Sequence, residues 1–470
     1  MHFRIMVILT WVCCITAAHA QTYNILDYHA VPDGKTANTQ MIQRAVDDCA
    51  GHGGGTVLVP AGVFATGMIV LKSRVELHLN AGAVLQAIAG QSKYLSLVLI
   101  DQAEQVSITG AGTLFGSGKS FTVQESFPNR PTVLYVRNSK HVSITNITLK
   151  HAAAWTLRLQ GCEGVLIKGI TIYSHANFNN DGIDIDSKDV IISDCNIDSS
   201  DDGICLKSED PDKLCENITI TNCLIASNCN FIKMGTGSVS GFKNITISNC
   251  VLRKASESPL HHWYTPATNF ITDTITGISG IALEVVDGGQ MDQVSISNIS
   301  MVGVQTPIFI RLGSRKNPTG SLKNVIISNV VATSRSRMAS TISAVNGFYI
   351  ENVTLRDILI KSQGGGTAAD AQKPVPESAD AYPENRMFGW SLPAYGLYVR
   401  HVKNLTLDNV QLQLLNPDNR PAIWLDDVQQ LNANALKIDQ PAGNTKWLKQ
   451  VNVSAVKITN TYLRCKTRKF

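Results

Sequence analysis

Three aspartates lie close together in the stretch "NFNNDGIDIDSKDVIISDCNIDSSDDGICLKSE" (177–209): Asp181, Asp201 and Asp202. Asp181 opens "DGIDID" and Asp202 opens "DGICLK", a near copy of the same phrase 21 residues later. If the two phrases are one strand on successive turns of a coil, equivalent side chains stack in columns about 4.8 Å apart. Three carboxyls then crowd into one place. Like charges raise one another's pKa, so such a cluster retains at least one proton near neutral pH. A carboxylic acid beside ionised carboxylates suits hydrolysis of a glycosidic bond. The acid protonates the leaving oxygen while a carboxylate activates water. The same residues could instead form a calcium site or a solvated ladder at strand ends.

The elements that would position these residues follow one template. It reads "HVSITNITL" at 141, "GVLIKGITI" at 164, "DVIISDCNI" at 189, "NITITNCLI" at 217 and "NITISNCVL" at 244, and continues to "NLTLDNVQL" at 404. Ile, Val and Leu alternate with Ser, Thr and Asn, the period of a strand with one buried face. Marking the Asn146 position gives Gly169, Asp194, Asn222 and Asn249, in steps of 23, 25, 28 and 27 residues. The later marks are Asn298, Asn329, Asp357 and Asn409. The gaps 249–298 and 357–409 are about double, as if each hid a second coil. Strand, polar turn and strand repeated at this period predict an all-β solenoid, a right-handed parallel β-helix. A propeller would need about 40 residues per blade.

Strand by strand, "WTLRLQ" (155–160), "DGIDID", "DGICLK" and "NFIKMG" (230–235) fall in register. Their inward residues are Leu157/Leu159, Ile183/Ile185, Ile204/Leu206 and Ile232/Met234, and Asn230 continues the column of Asp181 and Asp202. Cys195, Cys223 and Cys250 share one repeat position and read as a column of inert core thiols. A short helix after Asn38, ending near Gly51, with strands from about Thr56, reads as the small N-terminal cap. The Gly/Ala/Pro-rich stretch 364–386 reads as a long loop bordering a cleft.

The first twenty residues, with Arg4, an apolar run and Ala18-His19-Ala20, read as a signal peptide cleaved after Ala20. The expected organisation is a leader at 1–20 and one β-helix domain at 21–470, secreted to the periplasm, cell surface or medium. Without Cys13 and Cys14, nine cysteines remain, so they cannot all pair. No CxxC or Cys/His metal spacing appears, and neither metal nor cofactor is expected. A net charge of +4 without charged blocks argues against nucleic acid. No other run is long enough to span a membrane, and a monomer is expected.

"NND-G" (179–182) with "DDG" (201–203) resembles the Asn-Thr-Asp and Asp-Asp motifs of glycoside hydrolase family 28, the polygalacturonase-like pectin hydrolases. The stretch "PDGKTANTQMIQRAV…GGGTVLVPAGVF" near the N-terminus and "PENRMFGWSLPAYGLYVRHVKNLTL" (383–407) are similar to segments of pectin-active β-helix proteins. The resemblance implies Asp201 as general acid, Asp181 and Asp202 as the pair that holds and activates water, and Asn179 as their support. Asn180 stands where the motif has Thr. Two departures are larger. Asn230 aligns with the histidine of Gly-His-Gly, and Ala282 and Glu284 align with the arginine and lysine of Arg-Ile-Lys, which grips a substrate carboxylate. Lys233 and Lys207 are the candidate replacement cations, Lys207 equally as an ion-pair partner of Asp186 and Glu284 in its column. His261, His262, Trp263 and Tyr264 have the chemistry of a sugar subsite. Arg311, Arg315, Arg400 and His401 are weaker subsite candidates.

The expectation is a secreted inverting hydrolase of α-glycosidic bonds in galacturonate-containing pectic polysaccharide, of polygalacturonase, galacturonidase or rhamnogalacturonan type. The alternatives are a calcium-dependent pectic lyase and a non-catalytic carbohydrate-binding β-helix.

Overall fold

The residue that marks each repeat sits where the backbone passes through the left-handed region. Asn146, Asp194, Asn222, Asn249, Asn298, Asn329, Asp357 and Asn409 all have φ between 50 and 62°, and Gly169 has 64°. Gly, Asn and Asp tolerate this region better than other residues do. The first residue of most templates obeys the same rule: Gly164, Asp189, Asn217, Asn244, Asn324, Asn352 and Asn404 also have positive φ. Two sharp bends five residues apart therefore bracket one short strand in every turn. The computed structural model describes residues 21–88, 95–121, 129–257, 277–315, 318–389, 391–443 and 445–464.

Each rung of the right-handed parallel β-helix has three strand segments. The first carries the aspartate phrases and pairs in parallel from Leu157 to Ile183, Ile204, Ile232, Ile281 and Ile308. The second runs between the two bends, from Val165 to Val190, Ile218, Ile245 and Val294. The third follows, from Ile172 to Ile197, Ile225 and Leu252. Alternate residues point inward, so Leu157, Leu159, Ile183, Ile185, Ile204, Leu206, Ile232 and Met234 are all completely buried, as the register predicts. Cys195, Cys223 and Cys250 are buried on successive rungs. All eight described cysteines are free thiols. Helix α1 (Thr39–Gly51) covers the first coil with Ile42, Ala45, Val46 and Cys49, and strands resume at Gly55.

The doubled gaps hide no extra coils. Ile245 pairs directly with Val294, and Val353 with Leu405. Side-chain amides say the same. Asn298 donates to Asn249 at 2.9 Å and Asn404 to Asn352 at 2.8 Å, contacts possible between adjacent rungs alone. The additional residues lie in insertions, 255–276 and 363–396. Each falls in the chain between the third strand of one rung and the first strand of the next, and 363–396 leaves the solenoid there. That third bend has no fixed length, and it also carries Asn179–Asp181, Asp201–Asp202 and Asn230.

These exposed ladders carry a measurable load. Asn298 donates to Asn249 and accepts from Asn329 at 3.0 Å. An Asn298→Ala substitution places a Cβ-bearing residue without a compensating amide in the left-handed region, at a cost of about 1–2 kcal/mol. Asn298→Gly removes the same amide with little steric strain. In urea unfolding, Ala should cost more than Gly. Equal losses would show that the amide ladder, and not the backbone conformation, carries the effect.

Candidate active site

The variable bend brings Asp181, Asp202 and Asn230 into one column through the backbone itself. Gly182 N donates to Asp202 O at 2.9 Å, and Gly203 N donates to Asn230 O at 2.8 Å. Each glycine following an aspartate faces the next rung closely. A Cβ on Gly182 would meet Gly203 O at 2.3 Å, and one on Gly203 would meet Phe231 O at 2.6 Å. The "DG" of each phrase is thus a packing requirement, and it holds the carboxylates in stack. Asn180 shapes the bend. Its Oδ1 accepts from the Ala176 and Asn177 amides, both at 2.8 Å, and its Nδ2 donates to Ala152 O and Ala154 O.

Asp181, Asp201, Asp202 and Asn230 line one cleft of 420 Å³ with Trp155, Asn179, Lys207, Cys229, Lys233, Tyr382 and Glu384. Asp202 is the best-held carboxylate. Its Oδ1 accepts from the Asn230 side chain at 2.8 Å and from the Asn230 amide at 3.1 Å, and its Oδ2 faces Lys233 Nζ at 3.0 Å. Burial alone would raise its pKa. Lys233, Lys207 and Asn230 outweigh burial and hold it below the usual carboxylate range. Asp201 is pushed up to about 7, first by burial and then by the Asp202 charge, with Lys233 opposing. Asp181 is raised well above the usual range by burial and then by Asp201, and its Oδ1 has no hydrogen-bond partner. Asp202 is therefore the ionised member, while Asp181 and Asp201 are protonation-prone neighbours.

Other side chains fix this arrangement. Arg130 donates to Phe178 O at 2.6 Å and to Asn179 Oδ1 at 3.2 Å. That leaves Asn179 Nδ2 turned toward Asp201 Oδ2, 3.5 Å away. Ser199 and Ser227 donate to Asp201 O. Trp155 stands in the column before Asp181, and the Arg158 guanidinium lies 4.6 Å from its ring centroid. Tyr382 arrives from the insertion 363–396, its hydroxyl accepting from Lys233 at 3.1 Å.

Of the candidates from sequence, Lys233, Asn230 and Asn179 line the cleft. Lys207 lines it too, but its ion pair is with Asp184 at 3.3 Å. Asp186 accepts instead from the Glu209 amide. The long lysine chain reaches sideways to the adjacent column, which a register argument does not see. Ala282 is buried in an apolar cluster with Phe309, Phe388, Leu392 and Tyr398. Glu284 is fully buried with neither oxygen hydrogen-bonded, and burial pushes it up to about 8. His261, His262, Trp263 and Tyr264 lie outside the described residues.

The weaker arginine candidates each bond within the protein. Arg311 donates to Glu377 O at 2.6 Å and Ser378 O at 3.1 Å, and Arg400 donates to Val375 O at 2.8 Å. Arg315 pairs with Asp287 at 2.9 Å, and His401 bonds Asp427 and Glu377. Arg311 and Arg400 tie the insertion 363–396 across the outer face of the first strands. Asn385 adds a bond to Thr306 at 2.6 Å. The insertion buries Ala282, Phe309 and Tyr398 completely and walls off the cleft on the side of the later rungs. Arg130, Trp155, Tyr382, Glu384 and Cys229 were not anticipated. Trp155 alone was legible, since it opens the aligned phrase "WTLRLQ" at the aspartate position.

With this geometry in view, comparison with known proteins is informative. Residues 49–260 match the family described as "Glycosyl hydrolases family 28". A probable polygalacturonase of Vitis vinifera is 31% identical over 222 residues, covering 41% of this chain and 45% of that protein. An exopolygalacturonase of Platanus acerifolia is 22% identical over 372 residues, covering 74% of this chain and 92% of the relative. The crystal structure of an exopolygalacturonase from Thermotoga maritima superposes with a TM-score of 0.65 at 20% identity, covering 84% of this chain and 92% of the other.

Proposed function

The chain belongs to glycoside hydrolase family 28, and from that premise we propose that it hydrolyses α-glycosidic bonds at the ends of galacturonate-containing pectic chains. The observation that carries the reading is the cleft itself, with one ionised aspartate and two protonation-prone ones under a wall. Asp201 donates the proton to the leaving oxygen. Asp202 is the base and Asp181 positions the water. Asp201 and Asp202 offer oxygens within 4.8 Å of each other, short of the about 6.5–9.5 Å that admits a water between acid and base. The water therefore belongs against Asp181 and Asp202, on the side away from the Asp201 proton, and the reaction inverts configuration. Trp155 and Tyr382 supply faces for sugar rings.

Attack at chain ends follows from the insertion 363–396. A groove that takes an internal segment must be open along the solenoid in both directions, and the later-rung side is occupied. Exopolygalacturonases are among the similar proteins. Lys233 and Lys207 are the cations available to an acidic sugar, each already facing an aspartate.

A panel of pectic polymers and oligosaccharides, including rhamnogalacturonan, tests the reading. Small acidic products should accumulate from the start while viscosity falls slowly, and the first-formed reducing end should be the β-anomer by proton NMR. Rapid loss of viscosity would overturn chain-end attack, a first-formed α-anomer would overturn inversion, and an unsaturated product absorbing in the ultraviolet would mark a lyase.

No helix among the described residues is long and apolar enough to cross a membrane. Export through a leader at 1–20, leaving residues 21–470 as one domain, completes the proposal. The exported protein should begin at Gln21, as N-terminal sequencing would show. An intact Met1 would remove the leader from the account.

A further inference from the structure

Cys229 is a thiol inside the cleft that the proposed reaction does not use. It lies one residue before Asn230 and 27 residues beyond Asp202. Its Sγ and one oxygen each of Asp201 and Asp202 all lie within 4.8 Å of one another. Asn230 Nδ2 lies 3.5 Å from the same sulfur. Asp181, 4% exposed, lines the same cleft with an oxygen that has no hydrogen-bond partner, and Asp201 is the charge that acts on it most strongly. One sulfur and two carboxylate oxygens converge, and a third buried carboxylate lining the same cleft has an unused acceptor.

We infer that Cys229, Asp201 and Asp202 form a binding site for a borderline-soft divalent cation, zinc or cadmium, and that its occupation switches the enzyme off. Zinc takes sulfur at about 2.3 Å and carboxylate oxygen at about 2.0–2.2 Å, which separates such ligands by about 3.6 Å in a tetrahedron. The observed cluster contracts to that spacing with small side-chain movements. Thiolate selects zinc or cadmium over magnesium and calcium, which prefer all-oxygen sites. Asp202 Oδ1 already accepts twice from Asn230, but Oδ2, which faces Lys233, has a second lone pair. Asp181 or a water completes the coordination. Binding sends the Cys229 thiol proton, and below about pH 7 the Asp201 proton as well, to solvent, and occupies oxygen lone pairs of Asp201 and Asp202. With those two carboxyls engaged, neither proton donation nor water activation can proceed.

The site is new to the chemistry above, which needs no metal. Its test is also separable from that of hydrolysis, because cobalt(II) bound to a thiolate absorbs in the near ultraviolet whether or not a sugar is cleaved. Titrating the intact protein with cobalt(II) should give a thiolate charge-transfer band that saturates at one metal per chain. The band should be absent from Cys229→Ser and from Cys229→Ala, whose folding is checked by circular dichroism. The Asp201→Asn protein should need at least tenfold more cobalt for half-saturation. Zinc or cadmium should inhibit hydrolysis reversibly, with a chelator restoring activity. Cys229→Ser, measured against its own metal-free rate, should need at least tenfold more metal for half-inhibition. A wild-type protein without the band overturns the site, as does a band or an inhibition curve unchanged by loss of the thiol. Should both cysteine variants fail to fold, an Asp201→Asn protein that binds cobalt as tightly as wild type overturns it equally.

Discussion

Asp201→Asn leaves the protein folded and lowers hydrolysis of a pectic oligosaccharide by about 10²–10⁴-fold, the usual contribution of a positioned general acid. Asn has the shape of the protonated acid but gives up no proton. The loss should shrink on an aryl glycoside whose nitrophenolate leaves without protonation. In the wild type, the acid is held at about 7, so activity falls roughly tenfold per pH unit above that value. The alkaline limb should be absent from whatever activity the variant retains.

Stability moves the other way. A carboxyl at about 3.9 unfolded and about 7 folded binds its proton more tightly in the native state. Wild-type stability therefore falls as pH rises from about 4 to about 7, by a few kcal/mol in order of magnitude, and stays low above. Asn incurs none of this loss. Melting curves from pH 4 to 9 should show Asp201→Asn more stable than wild type above pH 7, with the difference closing in acid. A variant within tenfold of wild-type activity that kept the same alkaline limb would remove Asp201 from the acid's role.

Lys233→Met should be the most damaging single change to the electrostatics of the cleft. Lys233 and Asp202 are 2% and 5% exposed at the side chain and 3.0 Å apart. Removing one partner of such a buried pair costs about 3–5 kcal/mol, because the other charge is left uncompensated. Asp202 then loses its main stabilising neighbour, its pKa rises, and the base is no longer ionised where the acid is protonated. Activity should fall about 10²-fold or more at pH 6. Because the native Asp202 pKa is depressed, the pair's contribution is complete above the unfolded value of about 3.9 and is lost as pH falls through the native value. The destabilisation should thus be largest near neutrality and fade in acid. A Lys233→Met/Asp202→Asn double variant should regain much of the stability and none of the activity. A double variant no more stable than Lys233→Met would mean that the lysine acts through packing and not through charge.

What could be read from the sequence was whatever the period controls. Asp181 over Asp202 over Asn230, and the inward Ile183, Ile204 and Ile232, follow from aligning four phrases, and the parallel pairing agrees residue for residue. Lys233 and the leading Trp155 come from the same alignment, and Asn179 from the family resemblance. Counting residues failed where chain length and rung number part company. A gap of 49 residues fits two coils or one coil and an insertion, and the amide bond from Asn298 to Asn249 decides for the insertion. Contacts made by long side chains or by loops were also out of reach. Lys207 leaning to Asp184, Tyr382 folding back onto Lys233, and Arg130 clamping Asn179 have no fixed spacing to betray them. Cys229 lies outside the repeat columns, and nothing in a linear reading places it beside Asp201.

Of the three bends in each rung, two are pinned by left-handed residues at a fixed spacing and the third varies in length. A chain built this way separates inheritance of its scaffold from adaptation of its chemistry. Lengthening, shortening or exchanging the segment at the unpinned bend disturbs no ladder bond, since the strands on either side already meet their neighbours. New substrate preferences can therefore arise by grafting at a single recurrent locus, rung after rung, while the spine beneath is copied unchanged.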